Sequence, residues 1–189
     1  MRAFIAIPLP TEAVDALERA QADLACGRVV PAENLHITLA FLDEQPELLL
    51  HALHEGLAEI EAPAFEWRFG GVEAKGKSKP SLVWASVEAC EALIALQKSI
   101  LSAVFQTGIT LPRIRFRPHV TLARFGARAP ISNPKLAQWL TEYGAYRAGP
   151  YSATRVCLYR STLTPEGPVY DELAAYPLRD GVAASSLGT

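Results

Sequence analysis

Two short stretches of the chain alternate apolar residues with polar or small ones at a period of two. The first is LHITLAFL, residues 35–42, and the second is HVTLARF, residues 119–125. That period predicts a strand with one buried face. By this parity Leu35, Ile37, Leu39 and Phe41 share one face, and His36, Thr38 and Ala40 share the other. Val120 and Leu122 likewise oppose His119, Thr121 and Ala123. Ala40 and Ala123 are small, as a floor beneath a ligand should be. Phe41 falls with the core residues. Arg124, at the matching position, turns away from His119 unless the strand bends.

The rest of the chain divides around these strands. RAFIAIPLP predicts a buried strand stopped by prolines. TEAVDALERAQADLAC has helical spacing, with Thr11 as N-cap. PELLLHALHEGLAEIEA predicts a helix with Pro46 in its first turn. FEWRFGGVEAKG and SLVWASV predict two strands joined by the loop KGKSKP. EALIALQKSILSAVFQTG predicts a helix ending at Gly108. RIRFRPHVTLARF predicts a strand pair or a bent strand, and NPKLAQWLTEY a helix capped by Asn133. GPYSATRVCLYRSTL and VYDELAAYPL predict terminal strands around the turn TPEG. The tail, RDGVAASSLGT, has little to bury.

The resulting order, β-α-β-α-β-β-α-β-α-β-β, fits the α+β class. It also contains an approximate repeat: helix, HxTL strand, helix, strand pair, twice. Two similar lobes facing each other would set the HxTL strands across a shared cleft.

A net charge of −2 over 189 residues confines any nucleic-acid contact to a local patch. Cys26, Cys90 and Cys157 are far apart and odd in number, as reduced thiols of a cytoplasmic protein would be. The N-terminus lacks a signal-peptide pattern, and no apolar run reaches membrane-spanning length.

The chain has four histidines, and two of them sit in the repeated HxTL pattern. A histidine and a threonine two residues apart on a strand must point the same way. One such pair is ordinary, and a duplicated lobe could repeat it for structural reasons. A polar pair repeated on an uncovered sheet face is not required for packing, however. Metal binding is a poor fit, because zinc takes three or four N, S or anionic O donors and neither motif holds a carboxylate. His51 and His54, in HALHE, do not form HExxH and read as surface helix residues. GVEAKGKS, residues 71–78, matches the Walker A spacing but leads into Pro80 and a strand instead of a helix. It reads as a hairpin loop with Lys75, Lys77 and Lys79, within reach of an RNA backbone. Trp67, Trp84 and Trp139 read as core. Arg113, Arg115, Arg117, Arg124 and Arg128 form a basic segment that suits either a protected edge strand or phosphate contact.

HITL and HVTL, in the setting of MRAFIAIPLP, NLHITLAFLDE, SLVWASV, FRPHVTLAR and LYRSTL, resemble the 2H phosphoesterase superfamily. Within it the chain is similar to the bacterial RNA 2′,3′-cyclic phosphodiesterases, once called 2′-5′ RNA ligases. The resemblance runs from the first strand to about Pro177. It implies one domain over residues 1–179 built from two intertwined lobes, with 180–189 as a flexible tail. The implied lobes are pseudo-symmetric antiparallel sheets with helices on their outer faces and a central cleft carrying both HxTx motifs. It also implies that no cofactor is needed, and the chain is expected to be a cytoplasmic monomer acting on RNA ends or small cyclic nucleotides. In this reading His36 is the proton donor, His119 the acceptor, and Thr38 and Thr121 hold the phosphate. Arg124, Arg117 and Phe41 are the candidate substrate-binding residues. The chemistry agrees, since opening a cyclic phosphodiester needs a base on one side of phosphorus and an acid on the other. Imidazole, with an ordinary pKa of about 6.5, serves either role near neutral pH. Two further readings are an RNA-end ligase running the same chemistry backwards and a non-catalytic RNA- or nucleotide-binding protein.

Overall fold

A computed structural model describes residues 1–76, 80–126, 133–165 and 167–179. Two antiparallel sheets organise it. The first runs β3 (His36–Glu44), β1 (Arg2–Pro8), β8 (Arg155–Thr164), β9 (Gly167–Pro177). The second runs β2 (Arg28–Val29), β6 (His119–Arg124), β5 (Leu82–Val87), β4 (Phe65–Lys75), β7 (Arg147–Ala153). Inner strand β1 is buried on both faces from Ala3 to Ile7, which explains its unbroken apolar run. The α+β expectation therefore holds, with two antiparallel sheets and helices around them.

Among the described residues, four α-helices cover the sheets. Helices α2 (Glu47–Ala58) and α3 (Glu91–Gln106) lie against each other and against strands of the first sheet. Helix α1 (Thr11–Ala22) follows β1 in the chain but crosses over to β6 and β7 of the second sheet. There it meets α4 (Pro134–Tyr143), where Trp139 Nε1 donates to the Ala20 carbonyl at 2.8 Å. One continuous apolar cluster joins both sheets.

Local chemistry sets several boundaries. Asn133 caps α4, its side chain accepting from the Lys135 and Leu136 amides. Gly108 closes the turn after α3 at φ +85°, in the left-handed region that suits glycine. Thr11 is not a cap: Pro10 holds that position, Thr11 is the first helical residue, and no side chain bonds the α1 amides. Pro46 likewise stands one place earlier, as the cap of α2.

Two larger expectations change. GPYSATRVCLYRSTL is two strands, because β7 pairs with β4 in the second sheet while β8 pairs with β1 in the first. The chain changes sheet at Thr154, where no glycine or proline marks the break. Residues 109–118 form no strand, so β6 begins at His119; prolines at 112 and 118 remove donors a ladder would need. The two-residue β2 was not anticipated. The tail at 180–189, Arg128, and Lys77 and Lys79 of the β4–β5 loop lie outside the described residues. Strands β4 and β5 do pair as an antiparallel hairpin, which is incompatible with a Walker A turn into a helix. His51 and His54 are exposed on α2, and His54 shares a 2.9 Å hydrogen bond with the Tyr176 hydroxyl.

Candidate active site

Strands β3 and β6, one from each sheet, meet face to face. Each carries a bulge at the leucine of its HxTL motif. On β3, Thr38 is opposite Ala6 and Ala40 is opposite Ile5, so Leu39 is an extra residue. On β6, Thr121 is opposite Trp84 and Ala123 is opposite Val83, so Leu122 is extra. A bulge reverses which face the following side chains take. Leu39 and Ala40 are therefore both buried, as are Leu122 and Ala123.

This reversal corrects the simple parity. Phe41 is not a core residue but is 55% exposed. Arg124 comes onto the same side as His119 and Thr121, and both Phe41 and Arg124 line the cleft. Ala40 and Ala123 turn inward and do not floor it.

The cleft has a volume of about 640 Å³, and His36, Thr38, His119 and Thr121 all face it. Each histidine is oriented by a backbone carbonyl two residues earlier. His36 Nδ1 lies 2.8 Å from the Asn34 oxygen, and His119 Nδ1 lies 2.7 Å from the Arg117 oxygen. A carbonyl accepts and cannot donate, so Nδ1 carries the proton on both rings. Nε2 is then the nitrogen left to exchange a proton with a ligand. Aromatic rings fix the planes: Phe4 lies 4.8 Å from the His36 ring, Tyr170 stands edge-on to it, and Trp84 lies 5.1 Å from His119. Trp84 is accordingly half-buried beside the site, whereas Trp67 and Trp139 are core.

The His36 environment is the less polar. Burial pushes its pKa down from 6.5 to about 4, against the pull of the Asn34 carbonyl; Arg124 and His119 add positive charge that lowers it further. That shift leaves His36 neutral at neutral pH.

Arg117 lends its carbonyl to His119, while its side chain is exposed and lies outside the cleft wall. Arg113 and Arg115 are also exposed, on the irregular segment before β6. The sequence reading missed Arg28 and Tyr170, and it took Lys75 for part of a loop; all three line the cleft. Nothing in the local pattern marked Arg28, because its place depends on β2 pairing with β6. Among the described lining residues Glu33 is the one acid, set against Arg28, Lys75 and Arg124. Such a site favours an anion. Among the described residues no three His, Cys, Asp or Glu side chains are grouped to hold a metal. No helix among them is long and apolar enough to cross a membrane.

The arrangement presents two exchangeable imidazole nitrogens, two hydroxyl donors and an arginine to one anionic ligand. That is the equipment for acid–base chemistry at a phosphoryl group.

Comparison with known proteins points the same way. An RNA 2′,3′-cyclic phosphodiesterase from Thermus thermophilus is 36% identical over 193 residues, covering 95% of this chain and 91% of that protein. One from Geobacillus stearothermophilus is 31% identical across 98% of this chain, and the chain spans 60% of that relative's length. The crystal structure of the Thermus thermophilus protein TT0787 superposes with a TM-score of 0.77 at 31% identity, covering 96% of this chain and all of that one. The model of the 2′-5′ RNA ligase superfamily matches residues 9–164, a span that holds both HxTL strands, and the chain belongs to that superfamily.

Proposed function

We propose that this protein hydrolyses RNA 2′,3′-cyclic phosphate ends to 2′-phosphate ends without a metal cofactor. The observation that carries the reading is the convergence of two carbonyl-oriented imidazoles, from different sheets, on one cation-lined cleft. The activity named for its relatives from Thermus thermophilus and Geobacillus stearothermophilus supports the same reading. Both halves of the site come from one chain, which supports action as a monomer. Its free cysteines support a cytoplasmic setting.

In this mechanism the phosphate of the cyclic end sits between His36 and His119. His119 Nε2 takes a proton from water as the water oxygen bonds to phosphorus. The bond from phosphorus to the 3′-oxygen breaks, and His36 Nε2 gives that oxygen a proton. Thr38 and Thr121 donate to the non-bridging oxygens, where charge builds in the transition state. Arg124 balances the same charge, and Phe41 offers an exposed ring to a base. The donor role requires His36 to regain its proton. A bound phosphodiester supplies the missing negative charge beside it and raises its pKa. The direction of proton flow rests on the family resemblance, since the paired geometry is nearly symmetric.

The test is product analysis on an oligonucleotide ending in 2′,3′-cyclic phosphate, with EDTA present and 5′-hydroxyl RNA supplied. A 2′-phosphate end is the expected product. Joined RNA instead would favour the ligase reading, and binding without turnover would leave a nucleotide-binding protein. Activity lost in EDTA and restored by Zn²⁺ or Mg²⁺ would overturn the metal-free mechanism.

A further inference from the structure

Four cleft residues occupy a single register row across the second sheet. Lys75 on β4 is opposite Leu82 on β5, Leu82 is opposite Arg124 on β6, and Arg124 is opposite Arg28 on β2. All four line the cleft. Neighbouring strands stand ~4.8 Å apart, so the row spans roughly 14 Å. Three of its four side chains are cations. Like charges directly opposed on adjacent strands destabilise a sheet unless something lies between them. Arg28 and Arg124 are such a pair, and among the described residues neither they nor Lys75 makes an ion pair with a carboxylate.

Arg28 also reaches the opposite wall of the cleft. Gly167, in the β8–β9 hairpin of the other sheet, has φ +134°, and a Cβ there would come 2.8 Å from Arg28 Nη2. The missing side chain leaves room for the guanidinium against the opposite wall. Ile114 and Val169 line the same cleft and are 79% and 49% exposed, large apolar side chains left open beside the cations. A cationic track beside uncovered apolar groups is the composition that holds single-stranded nucleic acid.

One phosphodiester at the imidazoles accounts for Arg124. It leaves Arg28 and Lys75 facing the same space with no anion. We propose that Arg28 and Lys75 bind backbone phosphates of the RNA strand leading to the cyclic end, so that the enzyme selects oligonucleotide ends over cyclic mononucleotides. This rests on the cyclic-phosphodiesterase reading and adds a substrate-length preference to it.

The test is the double variant Arg28→Gln/Lys75→Gln. Both residues are exposed, so the neutral replacements leave the core intact. Turnover is measured on a cyclic mononucleotide and on a hexanucleotide with the same cyclic end, at several salt concentrations. Binding of a labelled hexanucleotide ending in 2′-phosphate is measured in parallel. The wild type should prefer the hexanucleotide. The double variant should lose at least tenfold more on the hexanucleotide than on the mononucleotide. The slope of log binding against log salt should shrink by about 1.4, at ~0.7 for each lost single-strand phosphate contact. Equal losses on both substrates, or none on either, would overturn the proposal. If the wild type binds the hexanucleotide with the expected slope but opens neither substrate, the row stands and the phosphodiesterase reading falls. If it opens both equally and the variant matches it, the reading stands and the row falls.

Discussion

His36 and His119 are held by the same device on opposite walls of the cleft. Each imidazole meets a carbonyl two residues back through Nδ1, at 2.8 Å from Asn34 and 2.7 Å from Arg117. The bonds set both tautomers before any ligand arrives, and they leave Nε2 of each ring as the proton carrier. A symmetric substrate atom between them would see the same group from both sides. The two environments differ, however, because Phe4 and Tyr170 enclose His36 more completely than Trp84 encloses His119.

Replacing either histidine by alanine should therefore lower kcat by about 10²–10⁴, the range for a positioned acid or base. Thr38→Val and Thr121→Val remove one phosphoryl donor each and should cost about 10–10³. Steady-state kinetics on a cyclic mononucleotide, with circular dichroism to check the fold, reads both. Near-normal turnover in a variant lacking both histidines would move the active site elsewhere.

The depressed pKa of His36 has two consequences. In the unfolded chain this histidine takes up its proton near pH 6.5, but in the folded protein near pH 4. The unfolded state thus binds more protons in that window. The stabilisation from keeping His36 neutral is fully present above pH 6.5 and is lost as pH falls towards 4. Wild type should lose more of its Tm over this range than His36→Asn. An anion in the cleft reverses the shift, so inorganic phosphate should bind more tightly as pH falls, and NMR titration should show the His36 pKa rising in its presence. If His36 remains neutral at pH 7 with phosphate bound, the donor role passes to His119. The pH profile of kcat/KM should be bell-shaped, because one ring must be charged and the other neutral.

Phe41 offers a contrast between stability and binding. Its ring is 55% exposed in the cleft, with Phe4 at 5.9 Å. Phe41→Ala should barely move Tm and should raise KM for a nucleotide about tenfold, given ~1–3 kcal/mol for an aromatic–base contact. Substituting the core neighbour Leu39, 3% exposed, should do the reverse: a large loss in Tm. A Phe41→Ala protein with a lower Tm and an unchanged KM would return Phe41 to a structural role.

Much of this site was legible in the sequence, and what was not has specific causes. The period-two pattern placed both HxTL strands, and the repeat placed them across a shared cleft. The pattern failed two residues past each threonine. Bulges at Leu39 and Leu122 reversed the faces, which brought Phe41 and Arg124 into the cleft and buried Ala40 and Ala123. A bulge is a property of strand pairing, and an unpaired sequence does not display it. Arg28 was invisible for the same reason, since its position depends on a two-residue strand pairing with β6. Basic character drew attention to Arg113, Arg115 and Arg117, but the prolines at 112 and 118 keep that segment out of the sheet. The sheet change at Thr154 had no punctuating residue, and only the competition of two sheets for the chain produces it.

The central claim is that the imidazoles divide the proton work, His36 serving the leaving oxygen and His119 the attacking water. A leaving group of low pKa departs without a proton, so it removes the need for the acid and keeps the need for the base. The direct measurement is turnover of a nucleoside 2′-(p-nitrophenyl phosphate) by His36→Ala and His119→Ala, each compared with its turnover of the cyclic mononucleotide. The account predicts that the activated substrate substantially rescues His36→Ala and leaves His119→Ala impaired. Equal rescue of both variants would contradict it, because neither histidine would then have a fixed role beyond holding the phosphate.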